Sequence, residues 1–141
     1  MGYSAMKTAS TPKDCLILVI DSHTQVCEAL RFTLESWGFR VLTANSIRAA
    51  KKQMLIRNFT PDVVIVDLPI PHRAYDFSLI EDASRLLLQF NLKVPVIAIT
   101  GNDNVHFQTL VVKKGWTYLL KPFPASTIFS LLMDITQWRR H

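Results

Sequence analysis

Pro61-Asp-Val-Val-Ile-Val-Asp67, followed at once by Leu68-Pro-Ile-Pro71, is the stretch on which the fold turns. Val63 to Val66 are all β-branched, which favours extended backbone, and a run without polar alternation suits a strand buried on both faces. Thr60-Pro61 breaks the chain before it. Pro69 and Pro71 remove the N–H donors that a longer strand would need. The reading is therefore a short central strand over Asp62–Val66 that stops abruptly at a carboxylate, Asp67.

Working outward, the same pattern recurs. Cys15-Leu-Ile-Leu-Val-Ile20 is a continuous apolar run ended by Asp21, and Pro95-Val-Ile-Ala-Ile99 is another, ended by Thr100-Gly101. Trp116 to Leu120 is a fourth, ended by Lys121-Pro122, and Arg40 to Thr43 makes a shorter strand. Between them lie stretches of helical period. Val26, Ala29, Leu30, Thr33, Leu34 and Trp37 mark a first helix stopped by Gly38. Ser46 caps a second carrying Ile47, Ala50, Met54 and Leu55. Phe77 to Phe90 is a third, Asn104 to Lys113 a fourth stopped by Gly115, and Ala125 to Trp138 a fifth. Five strand–helix units in succession imply an α/β three-layer sandwich, a parallel sheet with helices on both faces, in the order 2-1-3-4-5.

The 141 residues suit one domain, expected over 14–141 behind a flexible tail over 1–13. At 49% apolar and 19% charged, the chain has material for a two-sided core. No apolar run is long enough to span a bilayer, and Met1 to Lys13 lacks the apolar centre of a secretion signal, so a cytoplasmic location is expected. Cys15 and Cys27 are read as reduced, buried thiols rather than a disulfide or metal pair. The net charge of +5 is spread along the chain, with no basic helix stripe, so no direct nucleic-acid binding is expected. His23, His72, His106 and His141 are unclustered, and no transition-metal site is expected.

Function enters through what ends each strand. Ligands of an open parallel sheet bind beyond its carboxyl edge, where the winding reverses. Asp21, Asp67, Thr100 and Lys121 end strands one, three, four and five. Each alone is ordinary turn or cap chemistry; four on one edge are harder to dismiss. Two close carboxylates repel unless a cation lies between them, and Mg²⁺ suits oxygen ligands. A carboxylate can attack phosphorus to give an acyl phosphate, with an ammonium and a hydroxyl stabilising the phosphoryl oxygens.

The quoted runs resemble the receiver domain of bacterial two-component response regulators, a flavodoxin-like (βα)5 family. The likeness spans roughly Asp14 to Gln137 and includes Tyr118-Leu-Leu-Lys-Pro-Phe123. It implies that Asp67 accepts a phosphoryl group from a histidine kinase or phosphotransfer protein. It implies Asp21 as a Mg²⁺ holder with Asp67 and the Pro69 carbonyl, Lys121 as the partner of the phosphorylated carboxylate, and Thr100 and Tyr118 as a switch pair. Output would pass to a downstream protein or a fused output domain, and a homodimer through helix four, strand five and helix five is compatible with the family. Such a module signals; it is not expected to be an enzyme.

Three departures stand out. Ser22 replaces the second acidic residue usual after strand one and offers only a weak, neutral ligand. Pro69 keeps its carbonyl but cannot orient a hydrolytic water, so a long-lived phosphoryl group is expected. Pro71 to Phe77 is longer than usual. The Ser22 change supports an alternative, a pseudo-receiver acting as a phosphorylation-independent interaction module. A phosphatase with an aspartate nucleophile is disfavoured, because His23 stands where its acid would be, and a flavin-type phosphate loop is excluded by Asp21.

Overall fold

A computed structural model describes residues 12–70 and 77–136. A 3-10 turn at Pro12–Asp14 leads into β1 (Leu16–Ile20), α1 (Thr24–Ser36), β2 (Arg40–Ala44), α2 (Ile47–Arg57) and β3 (Val63–Asp67). Then follow α3 (Ser78–Gln89), β4 (Val96–Thr100), α4 (Val105–Lys113), β5 (Thr117–Leu120) and α5 (Ala125–Thr136). The strands form one sheet in the order β2-β1-β3-β4-β5. All pairs are parallel, with Ile17 opposite Val63, Ile65 opposite Ile97 and Ile97 opposite Thr117. This is the flavodoxin-like arrangement expected from the alternating runs.

Strand parity divides the core in two. Leu18, Ile20, Val64, Val66, Val96 and Ala98 pack with Ala50 and Met54 of α2, Ile80, Ala83 and Leu86 of α3, and Phe107 and Val111 of α4. Ile17, Val19, Val63, Ile65, Ile97 and Ile99 face the other way, onto Cys27 and Leu34 of α1 and Ile128 and Leu132 of α5. Residues in β1, β3 and β4 are therefore buried on both sides, which is why those runs show no polar alternation. Among the described residues no helix is long and apolar enough to cross a membrane.

Local chemistry sets the element ends. Ser46 accepts from the Ala49 N–H, and Asn104 accepts from the His106 and Phe107 N–H groups, so α2 and α4 start on side-chain caps. Gly38 and Gly115 follow α1 and α4 with φ of 97° and 82°, a region closed to most side chains. Cys15 and Cys27 are free and buried, as expected.

Three expectations need correction. Leu55 does not join the core; it is 61% exposed, because it lies one residue past Met54, roughly 100° round the helix. Val26, on the stripe assigned to the first helix, is also exposed. The tail boundary at residue 13 falls inside the turn Pro12–Asp14, where the Cys15 N–H donates to the Pro12 carbonyl. Trp138, and Pro71 to Asp76 of the loop noted as long, lie outside the described residues.

Candidate functional site

Backbone hydrogen bonds continue past the carboxyl ends of the strands, tying β1 to β2, β3 to β4 and β5 to β4. The Asp21 N–H donates to the Ala44 carbonyl, Leu68 N–H to Ile99, and Lys121 N–H to Thr100. These bonds hold the four predicted residues at one edge. Lys121 Nζ donates to Asp67 Oδ1 at 2.7 Å. The Asp67 side chain is 4% exposed, yet its second oxygen, Oδ2, is buried without a hydrogen-bond partner. A buried carboxylate oxygen in that condition costs folding free energy and marks where a cation or ligand belongs. Asp21 is buried beside it, its Oδ1 accepting from the His23 N–H at 2.8 Å.

Ser22 and Pro69 line a cleft between Asp21, Asp67, the start of α2 and Leu79 and Asp82 of α3. Both are exposed, and Pro69 follows the buried Leu68. On the other side of Asp67 and Lys121 lies a more apolar groove containing Val26 and Leu30 of α1, Trp37 just past its end, Phe123, and Ile128 of α5. The Asp67 carboxylate thus borders both cavities.

Thr100 is fully buried, one residue beyond Ile99, the register partner of Asp67. Its Oγ1 accepts from the Asn102 N–H at 3.0 Å, which leaves its own proton free to donate elsewhere. The Tyr118 hydroxyl donates in a very short bond to the Asn102 carbonyl. Desolvation, and secondarily the charge of Asp103, push the Tyr118 phenol above its usual range, so it remains a donor. Asn102 therefore connects Thr100 and Tyr118. Nothing about a lone Asn two places past Thr100 marked this role in the sequence.

The second residue missed is His23. Its Nδ1 lies 3.4 Å from Asp21 Oδ1, and ligand atoms of Asp21, His23 and Asp67 all lie within 4.8 Å of one another. His23 therefore stands in a cluster with two carboxylates, which corrects the reading of the four histidines as unclustered. Helical spacing does not encode the turn Asp21-Ser-His23, which folds the imidazole back onto the carboxylate. The donor set of two carboxylates and an imidazole, with an orphaned carboxylate oxygen, fits a divalent cation.

A family model described as the response regulator receiver domain matches residues 17–133. The phosphoglycerate transport system transcriptional regulatory protein PgtA of Salmonella typhimurium is 30% identical over 128 residues, covering 90% of this chain but 29% of PgtA. The chain thus spans under a third of that relative's length. A response regulator receiver domain protein from Clostridium thermocellum superposes with a TM-score of 0.71 at 25% identity, covering 89% of this chain and 97% of that one. The response regulator protein TrrA of Thermotoga maritima, solved in complex with Mg²⁺ and beryllium fluoride, gives a TM-score of 0.66 at 20% identity over 86% of this chain and 98% of its own.

Proposed function

The chain belongs to the response regulator receiver domain family, a phosphoacceptor module of two-component signalling, and from that premise we propose that Asp67 is its acceptor. The observation carrying this is the 2.7 Å ion pair from Lys121 to one Asp67 oxygen while the other is buried and unpartnered. Lys121 fixes the carboxylate and supplies positive charge where phosphoryl oxygens arrive. Asp67 attacks the phosphorus of a phosphohistidine donor, on a histidine kinase or phosphotransfer protein. The O–P bond forms and the P–N bond breaks. The departing imidazole nitrogen keeps the electron pair and takes a proton from solvent.

Asp21, Asp67 and the Pro69 carbonyl would hold Mg²⁺, with Ser22 a weak neutral ligand. When bound, the cation neutralises charge on the phosphoryl oxygens. Thr100 and Tyr118 read the result. The Thr100 hydroxyl proton is available to a phosphoryl oxygen, and turning toward it costs the Asn102 N–H its acceptor. Because Tyr118 is tied to the Asn102 carbonyl, the start of α4 and the ring respond together. The face formed by α4, β5 and α5 carries Val105, Val112 and Leu120 exposed, which supports its use for a downstream protein, a fused output domain or a homodimer. Signalling through this face requires no contact with nucleic acid, and a cytoplasmic setting suits the donor.

Beryllofluoride with Mg²⁺ tests the reading. Amide resonances of residues 100–105 and of Tyr118 should shift in the wild type and not in Asp67→Asn. An unchanged wild-type spectrum would put the phosphorylation-independent module in its place.

A further inference from the structure

Ser22 removes a carboxylate from a site whose remaining oxygen ligands are few, and the residue after it is the only imidazole beside the cleft among the described residues. His23 is the N-cap of α1, a position where Ser, Thr, Asp or Asn is favoured, and its side chain makes no capping bond. The His23 carbonyl accepts the first bond of the helix from the Cys27 N–H, but the imidazole makes no capping bond to it. Its side chain is 68% exposed, but Nδ1 turns toward Asp21 Oδ1 at 3.4 Å. Two atoms each about 2.1 Å from a common tetrahedral cation lie roughly 3.4 Å apart, so this pair already has the separation of two zinc ligands. The third ligand atom, on Asp67, lies within 4.8 Å of both and belongs to the side chain with the orphaned buried oxygen.

We infer that His23 is a metal ligand of this site, taking over from the carboxylate that Ser22 lacks, and that it biases the site toward Zn²⁺- or Co²⁺-class cations relative to Mg²⁺. Imidazole is a poor ligand for the hard, strongly hydrated Mg²⁺ and a good one for borderline first-row ions. Swapping a carboxylate for an imidazole therefore weakens one class while retaining the other. The inference deepens the acceptor reading above and rests on it for the position of the cleft.

Calorimetric titration of the full chain with ZnCl₂, CoCl₂ and MgCl₂, each separately, tests it on the wild type, His23→Ala and Ser22→Asp. His23→Ala should weaken Co²⁺ and Zn²⁺ binding by at least roughly tenfold, with Mg²⁺ binding little changed. Ser22→Asp should strengthen Mg²⁺ most. In the wild type, Co²⁺ should displace and broaden the His23 ring resonances, a readout that needs no variant. Equal Co²⁺ affinity in wild type and His23→Ala, or ring resonances indifferent to Co²⁺, would overturn the inference. Phosphoryl addition to Asp67 in Mg²⁺, read by intact mass, fails or succeeds independently. Its loss with His23-dependent Co²⁺ binding intact would sink the acceptor and leave the metal site standing.

Discussion

Asp67 has its two oxygens in unlike surroundings, one bonded to Lys121 Nζ and one buried alone. That asymmetry sets the residue-scale expectations. Ser22→Asp restores a second acidic residue at the turn and should tighten Mg²⁺ by roughly tenfold, about 1.4 kcal/mol, in a calorimetric titration. Replacing Pro69, exposed at the cleft, by Asn supplies a side chain able to orient water. The phosphoryl lifetime in a dephosphorylation time course should then shorten by roughly tenfold. Cys15 is silent in this chemistry but reports on pH. Burial, then the nearby Asp62 charge, push its thiol from the ordinary value of 9.0 up to about 12. A thiol harder to ionise folded than unfolded contributes stability that is complete below 9.0 and lost as pH rises toward about 12. Urea unfolding midpoints across that window should fall less steeply in Cys15→Ser, and neutral-pH alkylation should be slow until the chain unfolds. Asp21, Asp67, Thr100 and Lys121 were legible because each ends a strand. His23 was not, because its role comes from a turn whose backbone path no periodicity encodes.

At the scale of elements, strand parity separates chemistry from response. Asp21, Asp67 and Lys121 continue the odd-numbered rows, whose members Val19, Ile65 and Leu119 pack toward α1 and α5. Thr100 and Tyr118 continue the even-numbered rows, whose members Ala98 and Tyr118 pack toward α2, α3 and α4. Asp67 and the pair Thr100 and Tyr118 thus belong to opposite faces of one sheet, and Asn102 links the two members of that pair. Tyr118→Phe removes the bond to the Asn102 carbonyl. It should cost about 1 kcal/mol and accelerate amide exchange at the start of α4 more than elsewhere. Alternation of runs gave the strand ends closely, since proline and glycine punctuate them. It said less about helix faces: α2 has apolar residues on more than one side, and only Ala50 and Met54 of them are buried.

For the whole molecule, a five-stranded parallel sheet with two cores makes the site rim dependent on distant packing. Ile97 is fully buried in β4, in the core shared with α1 and α5. Ile97→Ala should cost about 2–5 kcal/mol in denaturant unfolding, without changing the residues that meet a phosphoryl donor. The order of strands was readable because right-handed crossovers and five repeated units leave few windings. The surface proposed to respond was less so, since exposure of Val105, Val112 and Leu120 depends on how α4 and β5 seat on the sheet. The most direct measurement is the intact mass of the chain after incubation with acetyl phosphate and Mg²⁺, with borohydride trapping to locate the adduct. One phosphoryl group on Asp67, absent from Asp67→Asn and much slower to form in Lys121→Ala, is the predicted result. An unmodified wild type, or an adduct that persists on folded Asp67→Asn, would contradict it.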